Sequence, residues 1–181
     1  VAGRPGRSPR DVDGSGDTRK LSFAISELRM GPLRLNVGDP VELVRGSAYT
    51  GILREGWSHP ESWGTWTRHD RSTIVIHTEE PVRAGTRVIL RVRGYVVDRN
   101  PEVTASFHVN GQLSATITMQ EQGYRDVTLE IPVSAVRKTT DRIEIVLDID
   151  DPVSPYELGI SGDRRRLGLA IQRLRVEAPE G

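Results

Sequence analysis

The sequence contains no cysteine among its 181 residues. This absence excludes disulfide bonds, thiolate metal sites and cysteine nucleophiles, and it is compatible with a reducing or an oxidising compartment. No stretch of about eighteen apolar residues occurs, so no transmembrane helix is predicted. Because 25 basic residues are balanced by 25 acidic ones, no global field favours nucleic acid or an anionic membrane. We therefore expect no nucleic-acid partner and no membrane insertion.

Residues 1–20 are mostly Gly, Pro, Ser, Arg and Asp, and they contain hardly any apolar side chain. Such a segment cannot bury enough surface to offset the entropy lost on ordering, so we predict a flexible or irregular N-terminal arm or linker. It also lacks the apolar centre of a signal peptide, which favours a cytoplasmic location. The first residue is Val1 rather than Met, so processing of a longer precursor, with a periplasmic or secreted destination, is the alternative.

From Leu21 onward, apolar and polar residues alternate with a period of two, which predicts eight or nine half-buried β-strands. Asn110-Gly111 joins two such runs and is a strong signal for a β-hairpin. The last run is interrupted at Gln172-Arg173, which predicts a β-bulge. Residues 133–138 have room for one helical turn only. We predict that residues 21–178 form one all-β domain, an antiparallel two-sheet β-sandwich of jelly-roll type.

All three tryptophans lie within residues 56–66, in a loop that is rich in Gly, Pro and Ser. Turn residues usually hold such a loop at the surface, where indole rings either close one end of the core or face a ligand. Indole faces beside charged hydrogen-bonding groups suit a pyranose, whose C–H face stacks while its hydroxyls are hydrogen-bonded. The loop contains such groups: Trp57, His59, Glu61, Trp63, Trp66 and Arg68. We expect Trp63 to pack inward and Trp66 to be the more exposed ring.

Two sets of carboxylates offer other chemistry. Glu61 and Asp163 would form a glycosidase-like pair if their loops met, but loop carboxylates more often cap turns or bond Arg, so we predict no enzyme activity. Asp148, Asp150 and Asp151 are a weak Ca²⁺ candidate, because the segment lacks the Gly and the terminal Glu of an EF-hand loop. No phosphate loop or dinucleotide fingerprint occurs, and we predict no cofactor.

Two segments resemble a known family. The first is Gly56-Trp57-Ser58-x-Pro60-Glu61-x-Trp63-Gly64-x-Trp66-Thr67. The second is Ser154-Pro155-x-Glu157-Leu158-Gly159-Ile160-Ser161-x-Asp163-Arg164-Arg165-Arg166-Leu167-Gly168-Leu169. Together with the Val109-Asn110-Gly111 hairpin, the similarity covers residues 43–176, and it resembles an accessory domain of bacterial glycosyltransferases and other enzymes of surface-polysaccharide assembly. The resemblance implies a non-catalytic β-sandwich, similar to carbohydrate-binding modules, that recognises a bacterial surface oligo- or polysaccharide beside a glycosyltransferase catalytic domain.

The two segments also make physical sense as partners. We expect one of Arg164, Arg165 and Arg166 in the second segment to reach Glu61 in a bidentate pair. That pair either fixes the tryptophan loop or forms part of the ligand floor, and Asp163 and Arg165 therefore join the candidate ligand-binding residues. The alternative function is a structural or docking domain for protein contact or self-association, because we expect apolar Val75, Ile89 and Val146 to be exposed on otherwise polar strand faces.

Overall fold

The computed structural model describes residues 31–136 and 141–179 of the chain. Within these ranges, ten strands form two sheets, two short 3₁₀ turns (Ala48–Ile52 and Val133–Ala135) connect strands, and no α-helix occurs. No helix in the described part is long and apolar enough to cross a membrane. The strands are β1 (Arg34–Leu35), β2 (Val41–Glu42), β3 (Thr65–Trp66), β4 (Arg71–Thr78), β5 (Arg87–Gly94), β6 (Val103–Val109), β7 (Gln112–Met119), β8 (Arg125–Glu130), β9 (Arg142–Ile149) and β10 (Leu169–Glu177).

The two sheets have interleaved strand orders. One sheet runs β1-β4-β9-β6-β7, and the other runs β2-β10-β5-β8, with the short β3 also paired to β10. Every pair is antiparallel except β1 with β4. Because successive strands of the chain often fall in different sheets, the fold is the predicted all-β two-sheet sandwich of jelly-roll type.

One hydrophobic core fills the space between the sheets. Each long strand sends alternate side chains into it, because side chains of a strand point to opposite faces with a period of two. In β5 these are Val88, Leu90 and Val92, and their solvent exposure is nil. β9 contributes Ile143, Ile145, Leu147 and Ile149 in the same way. The alternation in the sequence therefore identified the inward faces of these strands.

A β-bulge in β10 keeps its apolar residues on the inner face. The pairing with β5 shifts between Ile171 and Arg173, as the interrupted alternation predicts. Without the extra residue, Leu174 would point away from the core, because a one-residue slip moves every following side chain to the other face. With the bulge, both Ile171 and Leu174 are fully buried, and Arg173 faces outward beside Arg91 of β5.

The predicted hairpin is present between β6 and β7. Asn110 and Gly111 have φ values of 49° and 83°, which are the left-handed conformations that a two-residue type I′ turn requires. The Asn110 side chain also accepts a hydrogen bond from the Glu144 backbone N–H, at 2.9 Å. The helical turn predicted at 133–138 is a 3₁₀ turn over Val133–Ala135, and its predicted end lies outside the described residues.

Two predictions fall on residues that the structure does not describe. The arm at residues 1–20 and the start of the alternating region at Leu21 both lie outside the described ranges. The proposed domain boundary at residue 21 therefore stays a prediction.

Gly56 fixes the start of the tryptophan loop against β4. Its φ is +82°, and a Cβ at this position would overlap the backbone oxygen of Arg71 and the side chain of Ser72. The Gly56 carbonyl accepts hydrogen bonds from the Ser72 hydroxyl and from the Arg68 backbone N–H. The loop can lie this close to the sheet only because the side chain is absent.

We expect Gly56→Ala to lower the free energy of unfolding by roughly 3 kcal/mol or more, because it combines overpacking with an unfavourable left-handed conformation. Denaturant unfolding measures this change. Gly51→Ala is the matched control, since a Cβ added to Gly51 would meet no other atom within 4 Å and its φ is not positive. Equal stability of the two variants would contradict the close approach of Gly56 to β4.

Candidate functional site

The three tryptophans of the loop do not form one shared platform. Trp57 packs against the main core, and its indole N–H donates to the Thr73 carbonyl of β4 at 2.8 Å. Trp63 and Trp66 instead belong to a second apolar cluster, with Leu167, Ala170 and Tyr95. Trp57 therefore joins the loop to the neighbouring sheet rather than standing beside the other two rings.

Trp66 is buried, with only 5% of its surface exposed, so the prediction that it is the more exposed ring is wrong. β3 places Trp66 directly beside Ala170 on the outer face of β10. The small Ala170 side chain leaves room for the indole, and Trp63 and Tyr95 cover it with edge-on contacts at centroid distances of 5.4 and 5.9 Å. Because Trp63 and Tyr95 cover the Trp66 ring, that ring has no face open to a ligand, and it packs beneath Trp63.

Trp63 is half-buried and lies above Trp66. The tight turn that carries it is closed by a hydrogen bond from the Glu61 N–H to the Gly64 carbonyl, and a Cβ on Gly64 would lie 2.8 Å from the Ile171 carbonyl. The Trp63 indole N–H donates to Glu61 Oε2 at 3.1 Å. The turn thus brings Trp63 and Glu61 to the surface together, with a fixed orientation between them.

Arg165 connects the two loops that the sequence singles out. Its Nη1 donates to Glu61 Oε1 at 3.1 Å, and its Nε and Nη2 donate to the Asp163 carboxylate at 3.0 and 2.6 Å. The bidentate pair therefore forms with Asp163, and a single bond reaches Glu61. Each of the three side chains is about a quarter to a third exposed. The guanidinium thus uses all of its nitrogens to hold the loops together, which matches the interpretation in which the pair fixes the tryptophan loop.

The second loop has its own internal order. The Ser154 hydroxyl and backbone N–H both donate to Glu157, whose own N–H donates back to the Ser154 hydroxyl. These bonds hold the pKa of Glu157 below its usual value. The Tyr156 N–H donates to the Asp163 carbonyl, which closes the loop below Arg165. The sequence motif around Ser154 therefore supplies the rigid support for Asp163.

The Glu61 and Asp163 carboxylates are poorly suited to acid catalysis. Hydrogen bonds from Arg165 lower the pKa of Asp163, which keeps this carboxylate ionised. A general acid of a glycosidase needs a raised pKa, and both carboxylates contact the same cation. Asp163 is thus held ionised, and Glu61 contacts the same guanidinium, so both carboxylates hold Arg165 in place.

Sequence reasoning missed a row of alternating arginine and aromatic side chains on the outer face of β5. The Tyr124 hydroxyl donates to the Trp63 carbonyl at 3.2 Å, so its ring lies beside Trp63. The Arg93 guanidinium carbon lies 4.8 Å from the Trp63 ring centroid and 5.8 Å from that of Tyr124. Arg91 lies 5.2 Å from the Tyr124 centroid on the next outward position of the strand. We call Trp63, Tyr124, Arg91 and Arg93 the outer-face cluster.

The remaining loop candidates are exposed. His59 and Arg68 both lie at the surface, and the Arg68 backbone N–H donates to the Gly56 carbonyl.

Sequence reasoning also missed Tyr95, which lies beneath the outer-face cluster. Burial raises the pKa of its hydroxyl, and the nearby negative charge of Asp163 raises that pKa further.

The three aspartates proposed as a weak Ca²⁺ site do not form one. The described residues contain no group of three or more His, Cys, Asp or Glu side chains that could hold a metal ion. Asp148 is paired with Arg71 at 2.6 Å, and this hydrogen bond lowers its pKa. Asp151 points to solvent and lies 3.6 Å from Arg166. Two of the three aspartates, Asp148 and Asp151, therefore face arginine side chains rather than a shared metal ion.

The apolar residues that suggested a docking surface are not contiguous. Val75 is only 8% exposed, because polar side chains from β4, β9 and the loop before β4 surround it. Val146 is half-buried on the same sheet, whereas Ile89 belongs to β5 of the other sheet. The prediction that Val75 is exposed is therefore wrong, and no joint patch of these three residues exists.

We expect Arg165→Met to lower the free energy of unfolding by about 1 to 3 kcal/mol at neutral pH, because two carboxylates lose their charged donor. Since Arg165 lowers the folded-state pKa of Asp163, this stabilisation is fully present above about pH 4 and is lost as the pH falls through the lower folded-state pKa. Urea unfolding of both proteins at several pH values measures the difference.

Arg71→Met is the control for this change. Arg71 forms one ion pair with Asp148, and its side chain is 68% exposed, so solvent screens the pair and we expect a much smaller change than for Arg165→Met. A loss for Arg165→Met as small as that of the control, or one that persists at low pH, would contradict the bridging role of Arg165.

The chain matches one family model and several solved structures, whereas no curated protein matches it in sequence. Similar solved structures include a CBM36 carbohydrate-binding module in complex with calcium and xylotriose (8% identity, 77% of this chain and 99% of that chain, TM-score 0.43). Others are the CBM36-1 domain of a xylanase from the hindgut metagenome of Trinervitermes trinervoides (12%, 79% and 98%, 0.42) and CsCBM6-3 from Clostridium stercorarium in complex with cellobiose (14%, 82% and 99%, 0.41). The family model matches residues 48–178, and the chain belongs to that family, which is described as Domain of unknown function (DUF7024).

Proposed function

We propose that the chain is a non-catalytic carbohydrate-binding domain that takes an oligo- or polysaccharide on the outer-face cluster. The observation that carries the proposal is the position of Trp63 and Tyr124. Both rings are half-buried, and the Tyr124 hydroxyl is held by the Trp63 backbone. Their orientation is therefore fixed before any ligand arrives, which reduces the entropy lost on binding.

The polar groups around these rings suit the hydroxyls of a sugar. Arg91 and Arg93 supply N–H donors beside the two rings. Glu61 lies next to Trp63, and each carboxylate oxygen can accept more than the one hydrogen bond that it makes within the protein. A pyranose can place its apolar C–H face on an aromatic ring while its hydroxyls meet such groups at the rim.

A binding role also fits the chemistry of the charged groups better than an enzymatic one. Glu61 and Asp163 share one guanidinium, and Asp163 is held in its ionised form. Neither carboxylate is arranged to protonate a leaving group. We accordingly propose that the sugar is bound and released unchanged.

The resemblance of the two loop motifs supports a more specific proposal. The glycan would be a bacterial surface polysaccharide, and the domain would act beside a glycosyltransferase catalytic domain. Arg165 joins the two motifs physically, so their joint presence in the sequence has a structural reason.

We expect Tyr124→Ala and Trp63→Ala each to lower the affinity for a bound glycan by about tenfold or more, because each removes a ring at the centre of the contact. Isothermal titration with oligosaccharides from bacterial surface polysaccharides gives the affinities, and thermal melts report whether each variant is folded. Tyr156→Ala is the matched control. Tyr156 is 50% exposed and contacts Arg164 outside the cluster, so its loss should leave affinity unchanged.

Failure of the folded wild-type protein to bind any glycan at millimolar concentration would contradict the proposal. The alternative, a docking or self-association domain, would then be tested by light scattering at several protein concentrations. An equal effect of Tyr156→Ala and Tyr124→Ala would place the ligand elsewhere on the surface.

A further inference from the structure

Arg93 holds an unusual position on the outer face of the β2-β10-β5-β8 sheet. It follows Val92 of the core, and it lies opposite the buried Ala170 of β10. Its guanidinium carbon lies 4.8, 5.6 and 5.8 Å from the ring centroids of Trp63, Trp66 and Tyr124. Three aromatic rings thus surround one cation.

Arg93 has no carboxylate partner and no side-chain hydrogen bond among residues 31–136 and 141–179. Its Nε is buried and makes no hydrogen bond. Its two terminal nitrogens also make none with the described residues, but they are not buried and reach the surface. The neighbouring arginines differ. Arg91 pairs with Asp126 at 3.2 Å, Arg175 pairs with Glu177 at 2.6 Å, and Arg165 contacts two carboxylates.

A half-buried guanidinium without a counter-ion is unfavourable unless another group compensates its charge. The faces of the aromatic rings compensate it only in part, because a cation–π contact is weaker than a bidentate ion pair. The rings also restrain the guanidinium, so its two terminal N–H groups form a fixed fork. A fork of this kind matches the two oxygens of a carboxylate.

We infer that Arg93 is the carboxylate-binding residue of this domain and that its ligand is a glycan containing uronic acid residues. The inference rests on the proposed sugar-binding function and specifies the class of sugar. The carboxylate of one sugar residue would accept both terminal N–H groups of Arg93, while the sugar rings contact Trp63 and Tyr124.

The charge of the surrounding surface agrees with an anionic ligand. The whole chain has no net charge, yet β5 and β10 turn Arg91, Arg93, Arg173 and Arg175 toward the same outer face. Arg173 is exposed and, within the described ranges, makes no ion pair. Asp126 and Glu177 neutralise Arg91 and Arg175, and Glu42 lies opposite Arg173 in the sheet, so Arg93 is the cation of this face that no neighbouring carboxylate of the described residues compensates. An uncompensated cation attracts an anionic group, whatever the charge of the whole chain.

The test compares acidic glycans with their neutral counterparts. The probes are tetramers to hexamers of glucuronate, galacturonate and mannuronate, together with the same oligomers after reduction of each carboxyl group to an alcohol. For the wild-type chain, isothermal titration should show at least one oligouronate binding about tenfold or more tighter than its reduced form, since one charge-assisted contact is lost on reduction. The preference should weaken as salt is added.

Two variants and one control assign this preference to Arg93. We expect Arg93→Gln to abolish the preference, so that the acidic and the reduced form of each glycan bind this variant with affinities within about threefold of each other. Arg93→Lys keeps the charge and the long stem but not the fork, so most of the preference should be lost even if Arg93→Gln proves unstable in a thermal melt. Arg173→Gln removes the same charge from the same face and should leave the preference largely intact.

Other outcomes would overturn the inference. Equal binding of acidic and reduced glycans would show that Arg93 does not select a carboxylate, and it would leave the proposed sugar binding intact. Binding of neither form would contradict both the inference and the proposed sugar binding. Tighter binding of sulfated dextran or of single-stranded RNA, at equal charge, would show that the fork selects an anion other than a sugar carboxylate. Loss of the preference in Arg173→Gln to the same extent as in Arg93→Gln would indicate a diffuse field without a specific contact.

Discussion

The contact of Arg165 with Glu61 and Asp163 is the interaction on which the candidate site depends. The two loops that it joins are separated by about a hundred residues, and neither contains regular structure long enough to fix its own position. Glu61 in turn orients the Trp63 indole, and Trp63 covers Trp66. A single guanidinium therefore determines where the aromatic surface lies relative to the sandwich. Because all of its nitrogens are already used within the protein, Arg165 serves as a structural element.

The features that depend on local sequence could be predicted. Alternation located the inward faces of β5 and β9, Asn110-Gly111 located the hairpin, and the break at Gln172 located the bulge. In each case the physical cause lies within a few neighbouring residues. A period of two follows from strand geometry, and a type I′ turn follows from residues that tolerate a positive φ.

The features that depend on distant residues could not be predicted with the same success. Trp66 starts a polar run in the sequence, yet it is buried because Ala170 is small and because Trp63 and Tyr95 cover it. In the sequence, Arg93 is one of several arginines on the predicted polar face of a strand. Its partners Trp63 and Tyr124 come from two separate loops. The alternation of apolar and polar residues in β5 predicts that Arg93 points outward. It does not predict that aromatic rings surround Arg93, because those rings come from distant parts of the sequence. Contacts of this kind follow from topology, which a single sequence specifies weakly.

The central position of β10 has a consequence for how the chain folds. β10 pairs with β2, β3 and β5, which precede it by roughly 80 to 130 residues, so the sheet cannot form from neighbouring segments alone. Pairing across such separations requires the closure of long loops before any stabilising contact is made, which slows folding. Until β10 is in place, β5 lacks one neighbour and Trp66 lacks the surface on which it packs. The aromatic surface therefore forms late, and its apolar rings are exposed to other chains in the interval.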